Sequence, residues 1–150
     1  MIKSLNRIDQ RIAGMMEKYG VLLLRISLGV IFFWFGLLKL IGGSEANELA
    51  ERTVYWIRPD VFIPILAGWE MLIGIGLIVR PLVRAAILLL MLQMPGTFLP
   101  LVLLPDICWI RVPWAPTLEG QYIIKNLVLI SAAIVVGGTV RKTSQSKIMM

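Results

Sequence analysis

The sequence has no histidine and a single cysteine, Cys108, among its 150 residues. Histidine is the commonest metal ligand in proteins and a frequent haem ligand, so its absence argues against a haem or metal centre held by this chain. One thiol cannot form an intrachain disulfide or a Cys-x-x-Cys redox pair, although it could link two molecules. Motifs for a phosphate loop, a dinucleotide site, a nucleophilic serine and a zinc site are also missing. We therefore predict no metal site and cannot name a catalytic residue.

Long apolar runs dominate what the sequence does contain. Hydrophobic residues make up 58% of the chain and the mean hydropathy is +0.83. A soluble domain of this size leaves too much of its surface in water to bury so much apolar side chain. Each run is near the roughly 20 residues that a helix needs to cross a bilayer. Long runs that include glycine and proline favour helices over a β-barrel. We expect one all-α domain, residues 1–150, that forms a four-helix bundle in the membrane with spans at 21–41, 61–79, 82–104 and 121–140.

Basic residues indicate the orientation of these spans. Cytoplasmic segments of membrane proteins carry an excess of lysine and arginine. The basic residues that fall on the side of the two termini are Lys3, Arg7, Arg11, Lys18, Arg80, Arg84, Arg141, Lys142 and Lys147. The opposite loops hold only Arg52, Arg58 and Arg111. This bias predicts cytoplasmic termini. Nucleic-acid binding is the weaker interpretation of the net charge of +6, because the charge is spread beside the spans without interleaved aromatic residues.

Two short amphipathic helices are expected outside the spans. Near the N-terminus, apolar residues recur at helical spacing, which predicts a basic helix on the inner leaflet; a charged tail that only fixes topology is the alternative. The residues of this stripe are Leu5, Ile8, Ile12 and Met15. In the first outer loop, residues 46–57 follow a helical pattern after a candidate Ser44 cap and before Pro59. We expect this helix to lie on the outer membrane surface. In the second outer loop, Trp109 and Trp114 are expected to anchor at the interface.

Polar side chains interrupt each span. Arg25 and Lys39 lie in the first span, Glu70 in the second and Gln93 in the third, while the fourth contains Lys125 and Asn126. A charge at membrane depth is expensive, so it faces protein or water and usually has a partner. These residues are our candidates for a ligand-binding site or a buried polar network.

Helical periodicity predicts that these groups face the interior. Arg25, Gly29, Phe32, Gly36 and Lys39 are spaced by four, three, four and three residues, which keeps them on one stripe. At about 1.5 Å per residue, Glu70 lies roughly 13 Å below the outer edge of its span. It can therefore be reached by a lysine from above or by Arg25 from below. A functional site and a purely structural network both remain open.

Further alternatives concern single residues. Taken alone, Lys39 and Lys125 lie near the outer edge and are expected to extend toward the headgroups. Pro95 and Pro100 in the third span predict a kinked packing helix, and the alternative is a kink that frees carbonyl groups to line a cavity.

Three segments resemble a known family. They are residues 24–39 (LRISLGVIFFWFGLLK), the Gly68-Trp69-Glu70 triplet followed by Gly74, and residues 119–129 (EGQYIIKNLVL). The chain resembles the DoxX-like membrane proteins of the DoxX/DoxD superfamily over roughly residues 19–138, and is most similar in character to the YkgB-like branch.

The resemblance implies a multi-pass, four-helix protein of the bacterial inner membrane. Some members of the family are subunits of a thiosulfate:quinone oxidoreductase, and others are linked to oxidative-stress defence. By analogy, Arg25, Lys39, Glu70 and Lys125 are the shared polar positions, and a quinone is the candidate ligand.

Three hypotheses about function follow. The first is a small subunit of membrane redox or oxidative-stress physiology with a buried pocket for a quinone or an anion. The second is a transporter or channel component, which with four spans requires an oligomer. The third is a membrane scaffold whose charges serve packing. The expected partners are the lipid bilayer and either a redox partner subunit or further copies of the chain. Whether the chain is an enzyme stays open.

Overall fold

The computed structural model describes the backbone of residues 2–44 and 46–148 and the side chains of residues 8–44 and 46–139. Several residues named above, namely Lys3, Leu5, Arg7, Arg141, Lys142 and Lys147, have side chains outside the described ones. The helices are α1 (Ile2–Leu40), α2 (Ala46–Thr53), α3 (Pro59–Ile78), α4 (Val83–Phe98), α5 (Pro100–Leu103), α6 (Pro105–Cys108), α7 (Leu118–Ile124) and α8 (Asn126–Ile148). A 3₁₀ turn, Arg80–Leu82, joins α3 to α4, and two short strands, β1 (Trp109–Arg111) and β2 (Ala115–Pro116), lie between α6 and α7.

Four segments within the described residues are long and apolar enough to cross a membrane. They are Ile8–Leu40, Pro59–Ile78, Arg80–Leu103 and Leu118–Thr139. These segments confirm the predicted all-α bundle with four membrane spans. The side of the membrane that the termini face stays a prediction. We call the end of the bundle that carries α2, α6 and the strands the loop end, and the opposite end the termini end.

The first helix is longer than the sequence pattern predicted. α1 runs without a break over 39 residues, so the N-terminal segment continues the first span instead of forming a separate helix. At about 1.5 Å per residue it is roughly 58 Å long, and the hydrocarbon core of a bilayer is only about 30 Å thick. Ile8, Ile12 and Met15 are exposed on this extension. The amphipathic pattern was therefore a true helix signal, but the boundary inferred from it was wrong.

Glycines bring α1 and α3 into close contact. A Cβ atom added at Gly74 lies 2.5 Å from the backbone nitrogen of Phe33 and 2.7 Å from the carbonyl oxygen of Gly29. One added at Gly36 lies 2.6 Å from the carbonyl oxygen of Ala67. Helices in lipid associate through close van der Waals packing, and small residues permit it. The stripe that carries Gly29 and Gly36 therefore faces α3, and it directs Lys39 toward the same helix.

The core fills the half of the bundle nearer the termini end. Its fully buried members come from three helices, and each is at most 2% exposed: Ile73 and Leu77 of α3, Val83, Ala86 and Leu90 of α4, and Ala133 and Val136 of α8. Leu28 of α1 is 3% exposed and joins the same cluster. The loop-end half is less completely filled by side chains, because it contains two cavities.

The third and fourth spans are interrupted. α4 ends at Phe98 and α5 begins at Pro100, because proline lacks the amide hydrogen that would continue the helical ladder. Pro95 lies within α4 without ending it. The fourth span is divided at Lys125 into α7 and α8, and the amide of Val128 bonds to the carbonyl of Lys125 in an i→i+3 pattern. The sequence predicted a kink at Pro95 or Pro100, and the structure has an interruption at Pro100; the interruption at Lys125 was not predicted.

The loops form more structure than expected. α2 is the predicted loop helix, but it ends at Thr53, and Pro59 starts α3 instead of ending α2. Proline is tolerated in the first turn of a helix, where its missing amide has no partner to lose. β1 and β2 form a small antiparallel pair that the sequence pattern did not predict. Of the two tryptophans, Trp114 is 82% exposed, whereas the indole of Trp109 donates a hydrogen bond to the carbonyl of Leu101 at 2.9 Å and belongs to the packed loop.

Candidate ligand cleft

A buried ion pair joins the first and second spans. The Lys39 amine lies 2.7 Å from Oε2 of Glu70, and the two side chains are 8% and 10% exposed. α1 positions the lysine through the glycine stripe described above, and Glu70 lies midway along α3. A buried charge is costly unless an opposite charge lies beside it, so each of these two groups stabilises the charged form of the other. The expectation that Lys39 extends to the headgroups is therefore wrong.

Gln93 extends this pair into a three-residue cluster. Its amide nitrogen donates to Oε1 of Glu70 at 2.9 Å, so both oxygens of the carboxylate accept a hydrogen bond. This contact fixes the amide orientation, because only the nitrogen of Gln93 can donate. Its own oxygen is buried and has no hydrogen-bond partner among the described residues. We call Lys39, Glu70 and Gln93 the polar cluster.

The polar cluster forms part of the wall of a large apolar cleft. This cleft has a volume of about 640 Å³ and is partly open. Its aromatic lining comes from three spans and includes Phe32 and Phe35 of α1, Phe62 and Trp69 of α3, and Tyr122 of α7. The indole of Trp69 is held by a hydrogen bond to the carbonyl of Leu89 at 3.2 Å. Ligand sites in proteins have this character, with a mostly apolar lining and a few converging polar groups.

The other predicted site residues lie in different places. Lys125 and Asn126 line the same cleft, but neither side chain has a hydrogen bond or ion pair within the part of the chain that the structure describes. Lys125 is exposed and Asn126 is half-buried. Arg25 does not line the cleft. It lies fourteen positions before Lys39 on α1, which is roughly 21 Å along the helix axis. The structure therefore brings together the cluster and the Lys125–Asn126 pair, and it leaves Arg25 apart.

Sequence reasoning missed the contribution of α2. Ala46, Leu49, Ala50 and Thr53, the stripe expected to rest on the membrane surface, line the cleft instead. Thr53 is 2% exposed, and its hydroxyl donates to the carbonyl of Leu49 at 2.6 Å. An amphipathic pattern shows only that one face is covered, so it could not distinguish a lipid surface from a protein cavity. Tyr122 was also missed, although its position three residues before Lys125 puts both on one helical face.

A second cavity adjoins the cleft at the loop end. This vestibule has a volume of about 770 Å³ and lies between the end of α1, α2, α6 and the start of α7. Its rim carries Glu48, Arg52 and Glu119. Lys39 lines both cavities, as do the rings of Phe35 and Tyr122, whose centroids are 6.5 Å apart. The two cavities therefore meet at the lysine of the polar cluster.

The one cysteine lies outside both cavities. Cys108 is fully buried beneath the loop, and its carbonyl accepts a hydrogen bond from the amide of Thr117 at 3.0 Å. Burial raises the pKa of its thiol, and the negative charge of Glu119 adds to this effect. A raised pKa keeps the thiol protonated and unreactive at neutral pH. This environment is that of a passive structural cysteine.

Four long apolar helices around a buried polar cluster define a multi-pass helical membrane protein. The family model for DoxX matches residues 20–103, which is more than half of the chain. The chain therefore belongs to the DoxX family. All three residues of the polar cluster lie inside the matched segment, whereas Lys125 and Asn126 follow it. The narrower YkgB-like branch stays a prediction. Neither the curated proteins nor the solved structures contain a match to this chain.

Proposed function

We propose that this chain is a small subunit of membrane redox or oxidative-stress physiology that binds a quinone in its cleft. The observation that carries the proposal is the polar cluster on the wall of an otherwise apolar cavity of about 640 Å³. That volume lies within the range of roughly 300–1,000 Å³ typical of small-molecule sites. A quinone has a flat apolar ring, an apolar tail and two carbonyl oxygens. The lining of the cleft offers aromatic side chains to the ring, aliphatic side chains to the tail and hydrogen-bond donors to the oxygens.

Hydrogen-bond donors are available for the quinone oxygens. The lysine ammonium has three donor hydrogens and the glutamine amide has two, and the contacts to Glu70 use one of each. The amide of Asn126 and the hydroxyl of Tyr122 also line the cleft. The aromatic lining offers surfaces on which a flat ring can stack. Glu70 accepts a hydrogen bond from each of Lys39 and Gln93 and so fixes their positions on the wall of the cleft.

We further propose a membrane location and a partner protein for this chain. We place the chain in the bacterial inner membrane with both termini inside, and the excess of basic residues on the side of the termini supports this orientation. Because the proposal assigns the chain only ligand binding, electrons reach or leave the quinone through a redox partner subunit. Further copies of the chain are the alternative partners. An anion is the alternative ligand, and Lys125 supports it because its side chain lines the cleft without an ion-pair partner among the described residues.

A glycine in the cleft provides a selective test. Gly96 lines the cleft, and a Cβ atom added there meets nothing within 4 Å. Gly96→Leu therefore adds side-chain volume to the cleft and leaves all three residues of the polar cluster unchanged. Gly68 is the matched control, since a Cβ there also meets nothing within 4 Å but the residue does not line the cleft.

The measurement is titration of the purified protein in nanodiscs with a short-chain quinone, read by quenching of tryptophan fluorescence, because Trp69 lines the cleft. We expect Gly96→Leu to abolish saturable quenching and Gly68→Leu to retain it. Solvent extraction of protein from native membranes, followed by mass spectrometry, identifies the natural ligand. Equal quenching in both variants contradicts the proposal. Stoichiometric bound anion without quinone favours the alternative ligand, and a protein that copurifies with partners but binds neither favours the scaffold hypothesis.

A further inference from the structure

The polar cluster lies at the boundary between an open and a closed half of the bundle. On the loop-end side of Glu70 are the cleft and the vestibule, which share Lys39. On the termini side, α3 continues for eight more residues to Ile78, which is about 12 Å. Its inward residues there, Ile73 and Leu77, are fully buried. Along the membrane normal, the polar cluster therefore has cavities on its loop-end side and buried apolar side chains on its termini side.

Close packing closes the termini side. Ile73 and Leu77 pack with Leu90 and Val83 of α4 and with residues of α8 in one cluster of buried apolar side chains. The Gly29–Gly74 contact seals the interface between α1 and α3 at the same level. Protein interiors packed to this degree contain few voids large enough for a water molecule.

On the loop-end side, the charged side chains that line the vestibule become less exposed with depth. At its rim, the side chains of Glu48 and Arg52 are 72% and 57% exposed and form an i,i+4 ion pair. At its floor, the Lys39 side chain is 8% exposed. Lys39 is the one charged residue that the two cavities share among the residues that the structure describes. Exposure thus falls from the rim to the amine that holds Glu70.

We propose that the vestibule is the aqueous entrance of the polar cluster, so that water and small polar solutes reach Glu70 from the loop-end side of the membrane only. Lys39 faces Glu70 from α1, Gln93 faces it from α4, and Tyr122 and Lys125 line the same cleft from the fourth span. Glu48, Arg52 and Glu119 are the ionisable groups at the entrance. The inference goes beyond the proposed function and does not depend on the identity of the ligand, because the one-sided access follows from the packing itself.

Substituted cysteines test the access route in sealed vesicles. In a Cys108→Ala background, Lys39→Cys reports on the floor of the vestibule. Thr97→Cys reports on the cleft and leaves the ion pair intact, so it carries the test if the first variant does not fold. Leu118→Cys, at an 80% exposed position on the vestibule lining, marks the loop end. Arg80→Cys, at an exposed position, marks the termini end.

The readout is the rate of modification by a membrane-impermeant, positively charged thiosulfonate reagent added from one side. We expect the floor and cleft cysteines to react from the side on which Leu118→Cys reacts, on the order of tenfold or more faster than from the other side, since access through a packed core requires local opening. Equal rates from the two sides, or faster reaction from the side of Arg80→Cys, overturn the inference. So does a lack of reaction at both interior cysteines while Leu118→Cys reacts.

The quinone titration separates this inference from the proposed function. Loss of one-sided labelling with retained quinone binding refutes the entrance alone. One-sided labelling without quinone binding leaves the entrance in place and refutes the ligand.

Discussion

Neutralising Glu70 is expected to destabilise the protein strongly, because it leaves the Lys39 ammonium buried without a counter-charge. In Glu70→Gln the hydrogen bonds can be kept. The oxygen of the new amide accepts from Lys39, and its nitrogen donates to the oxygen of Gln93 once that side chain is turned over. The free amide oxygen of Gln93 makes this exchange possible. The substitution therefore removes mainly the charge compensation.

The magnitude follows from the burial of the pair. Both side chains are at most 10% exposed, and removing one partner of a buried pair typically costs about 3–5 kcal/mol of unfolding free energy. The exposed pair of Glu48 and Arg52 is the matched control, with side chains 72% and 57% exposed. Surface pairs contribute about 0–1 kcal/mol, so Glu48→Gln is expected to change little.

A double substitution distinguishes the loss of charge compensation from any change in side-chain packing. Methionine approximates the length of lysine without its charge, so Lys39→Met combined with Glu70→Gln removes both charges. Replacing a buried pair by neutral groups is often close to neutral. The double variant is therefore expected to be more stable than either single variant.

The assay is a denaturant titration in mixed micelles, followed by far-ultraviolet circular dichroism. The reasoning is refuted if Glu70→Gln unfolds within about 1 kcal/mol of the parent, as a surface pair does. It is also refuted if the losses of the two single substitutions simply add in the double variant, since contacting partners are expected to couple.

Three further predictions concern other parts of the molecule. Gly74→Ala is expected to lower the unfolding free energy by about 1–3 kcal/mol, because its Cβ meets backbone atoms at 2.5 and 2.7 Å; Gly68→Ala, whose Cβ meets nothing within 4 Å, is expected to be neutral or stabilising. Cys108 is expected to resist alkylation at neutral pH and to react faster as the pH rises, because burial raises its thiol pKa; a cysteine at exposed Trp114 reacts readily under the same conditions. Arg25→Ala is expected to leave quinone affinity unchanged, because Arg25 does not line the cleft.

Each of these predictions has an outcome that contradicts it. Equal stability of the two alanine variants in the same denaturant titration means that the helices α1 and α3 do not approach as closely as described. Rapid labelling of native Cys108 at neutral pH, measured by mass spectrometry, means that the loop opens. A loss of quinone affinity in Arg25→Ala that matches the loss in Gly96→Leu means that the ligand site reaches the termini half of the bundle.

The identity of the polar cluster was partly predictable. Lys39, Glu70 and Gln93 were each recognisable because an ionisable or amide side chain inside an apolar run is costly unless it faces the protein interior. Their pairing was not, since rise per residue left both Lys39 and Arg25 within the range of Glu70. The spacing of Gly29, Gly36 and Lys39 identified the stripe but not the helix that it contacts.

The sequence by itself determined the class of this protein and its four spans, because apolar length and the cost of buried charge are local properties that need no knowledge of neighbours. It also determined that α2 is a helix. Only the tertiary structure decided that α2 covers a cavity and that Lys39 pairs with Glu70, while Arg25 stays apart. The physical reason is that helical periodicity fixes the direction of a side chain around its own helix, whereas a contact also depends on which helices pack together and at what depth.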